Sequence, residues 1–357
     1  MTAVNATPDD APALLRREGR AGHIVLDRPR AINALNHSMV RIMAGALDDW
    51  ERDASVATVV LTGAGERGLC AGGDIRSIHD DVRAGRAAAS AAFWYDEYHL
   101  NARIARYPKP YVAVMDGIVM GGGVGVSAHG SVRVVTERSR VGMPETGIGF
   151  VPDVGGTYLL TRTPGELGTH LALTGGAVGA GDALLCGLAD HVVPSERLPE
   201  FTAALAGTDP ADAVRRFATR APEGELAGHR EWIDHCYAAD SVEEIVDRLH
   251  ASGDRHAKEA AETLLAKSPM SLKVTLAALR RARELPSLEA VLEQEYRVSC
   301  AMLAAPDLPE GIRAQVVDKD RRPRWSPAEL SQVTDADVAR VFAAVDGPAD
   351  DGGLRLL

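Results

Sequence analysis

Two glycine-rich segments and two later carboxylates are the residues whose types and spacing could do chemistry in this chain. The segments read LCAGGDI at residues 69–75 and MGGGVG at residues 120–125. Glu145 follows in MPET (143–146), and Asp153 in VPDVGG (151–156). Glycine lets a backbone N–H approach a ligand where a β-carbon would obstruct it, and two such N–H groups aimed at one point form an oxyanion hole. Together with the carboxylates they predict acyl chemistry, in which amides polarise a thioester carbonyl and Glu145 and Asp153 act on it.

Each of these motifs also has a plain structural explanation when it is taken alone. Asp74 suits the start of a helix, where its carboxylate would bond exposed N–H groups. The glycine triplet at 121–123 lacks the Lys-Ser/Thr ending of a phosphate-binding loop. Glu145 and Asp153 could each be a turn or cap residue. A glutamate in such an apolar, turn-rich stretch is nevertheless unusual without a partner, and partial burial would raise its pKa toward a value useful for proton transfer.

The spacing of other reactive residues disfavours two alternative kinds of site. Ser127 and His129 lie in GVSAH, which is not the GxSxG turn of serine hydrolases, so Ser127 is expected to pack on a small-residue helix. The eleven histidines include no HExxH pair, and no metal site is predicted. The cysteines are widely spaced and form no CxxC pair, which favours reduced thiols in a cytoplasmic protein; they are Cys70, Cys186, Cys236 and Cys300.

Composition and charge exclude several classes of partner. The 357 residues are enough for one large domain, or for one domain with a helical appendage, and the 46% of hydrophobic residues is typical of a globular protein. The net charge of -11 argues against general binding to nucleic acid or to an anionic membrane. Residues 1–12 lack the basic start and apolar run of a signal peptide, and no apolar run reaches the length of a membrane span. We therefore expect no nucleic-acid or membrane partner and a cytoplasmic location.

The apolar patterns predict an α/β core followed by helices. Residues 23–26, 58–62, 111–115 and 132–135 are expected to form strands, and an apolar face from Met39 to Trp50 predicts a helix between the first two. Strands that alternate with helices indicate a mainly parallel sheet. After about residue 194 the sequence becomes rich in Ala, Glu and Arg, and Ser241 and Ser268 mark helix starts. We predict a flexible N-terminus (1–20), a catalytic core (21–195), a helical region (196–345) and a tail (346–357).

The motifs together resemble the enoyl-CoA hydratase/isomerase (crotonase) superfamily. The resemblance is carried by LDRP (26–29) with NAL (33–35), by CAGGD (70–74) and by the glycine triplet. It implies a crotonase-like spiral of ββα units with a C-terminal helical region, and an acyl-CoA thioester as the small-molecule partner. It also implies that the two oxyanion-hole amides are those of Gly73 and Gly122. Arg28 and Arg30 match the segment that contacts CoA in the family, and Lys319 and Arg321 are further candidates.

Within that superfamily the chain most resembles the branch of 3-hydroxyisobutyryl-CoA hydrolases, thioesterases of valine breakdown. This likeness is carried by FWYDEY (93–98), MPET (143–146), PDVGG (152–156), SPMSLK (268–273) and EYR (295–297). Typical hydratases have a first glutamate where this chain has Gly125, so a hydratase or isomerase that works with Glu145 alone is the alternative. The resemblance implies that Glu145 attacks the thioester or activates water, and that Asp153 orients Glu145, the water or the substrate 3-hydroxyl. It also implies that Glu97, with Gly122, Glu145 and Asp153, binds substrate. No metal or redox cofactor is implied, and a homo-oligomer is possible.

Overall fold

The computed structural model describes residues 11–343 and 354–356, and the described residues fall into two compact units. The first unit is drawn from Met1–Gly73, His99–Val141 and Val178–Gly224. The second is drawn from Asp74–Tyr98, Gly142–Ala177 and Glu225–Leu357. Each unit is therefore built from three separate stretches of the chain. The predicted division at residue 195 stays a prediction.

The strands of the described residues are short and belong to two sheets. Their bounds are β1 (Ala13–Glu18), β2 (Ala21–Leu26), β3 (Thr58–Gly63), β4 (Tyr111–Met115), β5 (Ile118–Met120), β6 (Val132–Val135), β7 (Arg140–Gly142), β8 (Ala177–Val178) and β9 (His191–Val192). The larger sheet has the order β1-β2-β3-β4-β6-β9, and the smaller one the order β5-β7-β8.

The larger sheet is parallel from β2 to β9, as predicted, and lies in the first unit. Leu61 of β3 pairs with Ala113 of β4, which in turn pairs with Arg133 of β6. Runs of valine and leucine form these strands because a β-branched side chain packs well on a pleated surface that is covered by other elements. The buried cluster beside the sheet consists of Ala21, Val60, Val112, Val114, Val134, Val193, Phe201, Leu205, Ala213, Val214 and Phe217.

The prediction of a flexible segment through residue 20 is wrong for Ala13–Glu18. These residues form β1, which pairs antiparallel with β2 in a register that places Ala13 opposite Leu26. The segment ALLRRE lacks a clean alternation of apolar and polar residues, so its own pattern does not predict a strand. Its partner strand supplies the hydrogen bonds, and charged side chains are common on such an edge strand. Residues 1–10 lie outside the described residues.

Helices account for most of the remaining described chain. They are α1 (His37–Arg52), α2 (Ile75–Arg83), α3 (Ala87–Ala105), α4 (Gly122–Gly125), α5 (Gly156–Leu160), α6 (Leu167–Thr174), α7 (Ala180–Leu185), α8 (Leu198–Ala204), α9 (Pro210–Phe217), α10 (Leu226–Tyr237), α11 (Val242–Ala251), α12 (Arg255–Leu265), α13 (Pro269–Ala282), α14 (Leu288–Leu303), α15 (Asp307–Ile312) and α16 (Asp335–Phe342). Within the ranges that the structure describes, no helix is both long and apolar enough to cross a membrane.

The second unit is mainly helical, and side-chain caps begin several of its helices. The Ser241 hydroxyl accepts a hydrogen bond from the N–H of Glu244, and that of Ser268 accepts one from Ser271, so both predicted helix starts are confirmed. Each cap satisfies an N–H that has no partner inside its helix. Leu272, Leu276 and Leu279 of α13 are buried at helical spacing.

The predicted tail at 346–357 is partly packed against the second unit. Leu354 and Leu356 are buried, and the N–H of Leu356 donates to the Glu293 carboxylate at 3.1 Å. This packing could not be predicted, because two isolated leucines form no periodic pattern. Residues 348–353 of this predicted tail lie outside the described residues.

Candidate active site

The glycine-rich segments of the first unit bring two strand-ending turns together. Strand-like pairing joins Cys70 to Val119, and the carbonyl of Gly72 accepts a hydrogen bond from Leu35 at 2.8 Å. Gly72 has a φ of +107°, a region that favours glycine, and a β-carbon there would lie 3.7 Å from the amide nitrogen of Gly122. The predicted pair of amide donors therefore lies on neighbouring backbone segments of one unit.

The backbone amides of Gly73 and Gly122 are the available donors of these segments. The N–H of Gly72 contacts the Cys70 sulfur at 3.4 Å and is already used. Gly122 is the first residue of α4, where an N–H has no partner inside the helix. Among the hydrogen bonds of residues 11–343, neither the N–H of Gly73 nor that of Gly122 has an acceptor in the protein. Both remain able to donate to a ligand oxygen.

Close packing of the backbone explains the glycine at position 123. A β-carbon on Gly123 would lie 2.6 Å from the carbonyl oxygen of Cys70, closer than any side chain allows. The Ser127 hydroxyl, one turn later, is fully buried and donates to the Gly123 carbonyl at 2.6 Å. Ser127 is packed against α4, as expected, but it lies in the turn after the helix and not in the helix itself.

Four of the buried carboxyl groups of the second unit form a cluster in which their charges interact. Glu97 lies on α3, Glu145 begins the single-turn 3-10 helix Glu145–Ile148, Asp153 lies in the turn before α5, and Glu295 lies on α14. Their exposed fractions range from 1% for Glu295 to 7% for Glu145. Buried carboxylates are costly unless they are hydrogen-bonded or neutral, so a cluster of them calls for a functional explanation.

Two of these carboxyl groups are well satisfied by protein donors. The Tyr98 hydroxyl donates to Asp153 Oδ2 at 2.7 Å. Glu295 Oε2 accepts from the N–H of Gly155 at 2.6 Å, and its Oε1 accepts from both the N–H and the hydroxyl of Thr157 at 2.9 and 2.6 Å. Glu295 therefore holds the turn that carries Asp153.

The other two carboxyl groups each have an oxygen that is buried without a partner. They are Glu145 Oε2 and Glu97 Oε1. A native protein leaves few such atoms, and each one indicates a water molecule, a ligand or a catalytic role. Within the cluster, Glu97 and Glu145 therefore each keep hydrogen-bonding capacity that the protein does not use.

Burial raises the pKa of every carboxyl group in the cluster. It raises the pKa of Glu145 well above its usual value, as the negative charge of Asp153 also does, and the pKa of Glu97 is raised for the same two reasons. Burial raises the pKa of Asp153 to about 7, against the hydrogen bond from Tyr98, which lowers it. Burial also raises the pKa of Glu295 to about 8, against its three hydrogen bonds. Groups that titrate near neutral pH can exchange protons during catalysis.

Sequence reasoning missed the residues that support this cluster. Tyr98, Glu295 and Ser299 bind members of the cluster or one another, but no role was predicted for them. A signal was present for Glu295, because it shares the buried face of α14 with Val291 and Leu292 at helical spacing. A glutamate on the apolar face of a helix requires a partner.

The remaining predicted residues have simpler surroundings. The Asp74 side chain accepts from the N–H of Ser77 at 3.5 Å at the start of α2, which confirms it as a cap. The Arg28 guanidinium donates to the carbonyl of Ala34 at 2.5 Å, and Arg30 is exposed. Lys319 and Arg321 are exposed residues of the second unit.

One group of side chains has the spacing of metal ligands. In the part of the chain that the structure describes, His229, Asp254 and His256 bring ligand atoms within 4.8 Å of one another. No carboxylate of the buried cluster belongs to this group. The Asp254 carboxylate already accepts hydrogen bonds from two N–H groups at the start of α12.

Comparison with known proteins identifies relatives over almost the whole chain. Residues 21–342 match the family model described as enoyl-CoA hydratase/isomerase. The 3-hydroxyisobutyryl-CoA hydrolase, mitochondrial, of Xenopus tropicalis is 41% identical over 352 residues, which is 96% of this chain and 91% of that protein. The protein of the same name from Homo sapiens is 40% identical over 343 residues, 93% of this chain and 88% of that protein. The predicted resemblance to the hydrolase branch is confirmed.

Two solved structures share the fold at substantial identity. The crystal structure of a carnitinyl-CoA dehydratase from Mycobacterium thermoresistibile has a TM-score of 0.93 and 52% identity, and the match covers 97% of this chain and 99% of that one. The crystal structure of an enoyl-CoA hydratase from Rhodobacter sphaeroides 2.4.1 has a TM-score of 0.88 and 42% identity, with 93% and 97% covered. With the family match, they confirm the predicted α/β crotonase-like fold class with its C-terminal helical region.

Proposed function

The chain belongs to the enoyl-CoA hydratase/isomerase family, and we propose that within it the protein is an acyl-CoA thioester hydrolase that acts on 3-hydroxyisobutyryl-CoA. Water would cleave the thioester to 3-hydroxyisobutyrate and CoA, a step of valine catabolism. Relatives with that name match over 88% or more of their own length, which supports carrying the whole activity to this chain. The observation that carries the proposal is the buried cluster in which Glu145 and Glu97 each keep an oxygen without a partner.

The proposed electrophilic step uses the two available backbone amides. The N–H groups of Gly73 and Gly122 would donate to the thioester carbonyl oxygen, whose negative charge grows as the carbonyl carbon becomes tetrahedral. Each such donor is typically worth about 3–4 kcal/mol of transition-state stabilisation. A backbone donor has no side chain to delete, so the mutational test of the mechanism rests on the carboxylates.

Glu145 is proposed to begin the attack on the carbonyl carbon. As a base, it would take a proton from water while the water oxygen bonds to the carbon, and the C–S bond would then break to release CoA thiolate. As a nucleophile, it would form a mixed anhydride with loss of CoA thiolate, and water would hydrolyse the anhydride. Both routes require the ionised carboxylate. Burial and the charge of Asp153 raise the pKa of Glu145, which makes the ionised form a stronger base.

Asp153 and Glu97 are proposed to complete the acyl site. Asp153 would orient Glu145, the water or the substrate hydroxyl, and Glu97 would bind the 3-hydroxyl group. A buried Glu97 oxygen without a partner would be paired by a hydroxyacyl group and left unpaired by an acyl group that lacks the hydroxyl. Sites that hydrogen-bond a substrate hydroxyl discriminate strongly against the deoxy analogue for this reason.

A hydratase or dehydratase is the second candidate, because the two solved relatives carry such names. Addition of water across a double bond needs an acid and a base beside the same water. The position of the first glutamate of typical hydratases is Gly125 here, and it is fully enclosed as the last residue of α4. This residue disfavours the second candidate.

The deciding experiment measures release of free thiol from 3-hydroxyisobutyryl-CoA. Isobutyryl-CoA is the matched control, because it differs only by the hydroxyl group, and crotonyl-CoA reports hydration through loss of its enone absorbance. Fast thiol release from the hydroxy ester alone is expected. Absence of thiol release together with consumption of crotonyl-CoA would instead assign the protein to the hydratase branch.

The remaining parts of the proposal concern cofactor, partners and location. We propose that no metal or redox cofactor takes part, that Arg28 and Arg30 contribute to binding the CoA phosphates, and that the protein forms a homo-oligomer. The predicted cytoplasmic location finds no support in the vertebrate relatives, whose names call them mitochondrial. Fractionation of the source cells tests location, and light scattering of the purified protein tests its oligomeric state.

A further inference from the structure

The Asp153 carboxylate is the end of a buried chain of hydrogen bonds. The Tyr98 hydroxyl donates to Asp153 Oδ2 at 2.7 Å and lies 2.9 Å from the Ser299 hydroxyl oxygen. A phenol has one proton, so when Tyr98 donates to the carboxylate, Ser299 must be the donor to Tyr98. Tyr98 and Ser299 are both fully buried.

Helix α14 supports the Asp153 turn at a second point. Glu295 accepts hydrogen bonds from the amides of Gly155 and Thr157, which lie two and four residues after Asp153 in the chain. Glu295 and Ser299 are four residues apart and therefore lie on one face of α14. One helix face thus fixes the backbone of the turn directly and its carboxylate through Tyr98.

The hydrogen bond from Tyr98 is the main contact that stabilises the negative charge of Asp153. The titratable groups that interact with it are Glu97 and Tyr98 of α3, Glu145 of the 3-10 helix and Glu295 of α14. Within residues 11–343, no lysine or arginine forms an ion pair with Asp153. A carboxylate among other carboxyl groups is held in its ionised form by donated hydrogen bonds.

We infer that Tyr98 is a positioning residue for Asp153: its hydroxyl, oriented by Ser299, fixes the direction of the carboxylate and stabilises its charged form. The inference rests on the role of Asp153 in the proposed function. Tyr98 acts through Asp153 and is given no contact with the substrate. Its effect is therefore expected on the chemical step and on the proton equilibrium, and not on the binding of CoA.

The first test compares Tyr98→Phe with Tyr237→Phe. Each variant deletes one buried phenol oxygen in the second unit, but Tyr237 hydrogen-bonds His170 at 3.0 Å and no member of the carboxylate cluster. Loss of a hydrogen bond to a charged group predicts a fall in kcat of roughly 10- to 100-fold for Tyr98→Phe, with KM within about threefold. The acidic limb of its pH–rate profile should move to higher pH, because Tyr98 lowers the pKa of Asp153. An unchanged limb, or an equal effect of Tyr237→Phe, would overturn the inference.

A second variant tests the chain of hydrogen bonds without removing the ring. Ser299→Ala should move the acidic limb in the same direction by a smaller amount. It should move the limb no further in the Tyr98→Phe background, because residues of one network are not additive. Equal shifts in both backgrounds would show that Ser299 acts independently of Tyr98. Ser299→Ala also keeps the inference testable if Tyr98→Phe does not fold.

A measurement without substrate separates this inference from the proposed function. The melting temperature of Tyr98→Phe should fall more between pH 5 and pH 8 than that of the wild type, because Asp153 becomes harder to ionise. This extra fall should vanish in the Asp153→Asn background. If the wild type releases no thiol, the proposed function fails while this result still decides the coupling of Tyr98 to Asp153. An extra fall that persists with Asp153→Asn would refute the coupling.

Discussion

Ionisation of Asp153 should destabilise this protein, so replacing Asp153 with asparagine should stabilise it at alkaline pH while reducing its activity. Asp153 is buried, and burial raises its pKa from 3.8 to about 7. Asparagine has the same shape, can still accept a hydrogen bond from Tyr98, and carries no charge. Its introduction would also remove the negative charge that raises the pKa of Glu145 and Glu97.

The magnitude of this effect follows from proton binding. A group whose pKa is raised by folding contributes stability below its unfolded pKa and loses that contribution as the pH rises through its folded pKa. Between pH 5 and about 7 the folded state therefore holds about one more proton than the unfolded state. Two pH units at about 1.36 kcal/mol each amount to roughly 2.7 kcal/mol of stability that the wild type loses and Asp153→Asn keeps.

The assay is the melting temperature of both proteins at pH 5 and pH 8. At roughly 2 °C per kcal/mol for a chain of this size, the difference in melting temperature between Asp153→Asn and wild type should be about 5 °C more favourable to the variant at pH 8 than at pH 5. Asp190→Asn is the matched control. Burial raises the pKa of Asp190, but the Arg133 guanidinium holds that pKa below its usual value, so Asp190 is ionised at both pH values. Its replacement should cost the same at pH 5 and pH 8.

A difference between Asp153→Asn and wild type that is the same at both pH values would refute the reasoning. It would mean that Asp153 exchanges no proton on folding in this range. Thiol release should be measured in parallel, because under the proposed function we expect Asp153→Asn to be stable but to release thiol slowly.

Further predictions concern Glu145, Gly123 and Ser127. Glu145→Gln should lower thiol release by roughly 10²–10⁴-fold without lowering the melting temperature. Glu166→Gln, which breaks ion pairs to two arginines, should lower the melting temperature without lowering thiol release. Gly123→Ala should cost about 1–3 kcal/mol of stability, because its β-carbon meets a backbone carbonyl. Gly228→Ala is the control, because this helix residue has open space around it. It should leave the melting temperature equal or higher and the turnover unchanged. Ser127→Ala should keep thiol release within about threefold while losing about 1 kcal/mol of stability, and near-complete inactivation would revive a serine nucleophile.

Local pattern was sufficient to predict the core strands and several helix starts. The strands at 111–115 and 132–135 were predicted at their observed bounds, and Ser241 and Ser268 cap the helices that they were expected to begin. These features depend on side-chain periodicity and on hydrogen bonds within a few residues, which are properties of the sequence itself. Strand β1 was missed because its formation depends on a partner strand and not on its own composition.

The sequence also determined the residue types of the site, but the tertiary structure decided their burial, their hydrogen bonds and their pKa values. Acids at 145 and 153 beside two glycine-rich turns can be recognised from the motifs, because backbone access and acid–base chemistry require those types, whereas Gly73, Gly122 and Glu97 are implied by the family resemblance. The support of Glu295 for the Asp153 turn joins residues 140 positions apart in the chain. Only folding brings such groups together. The resulting exclusion of water and the nearby charge of Asp153 raise the pKa values of Glu145 and Glu97, each of which keeps one oxygen unpaired.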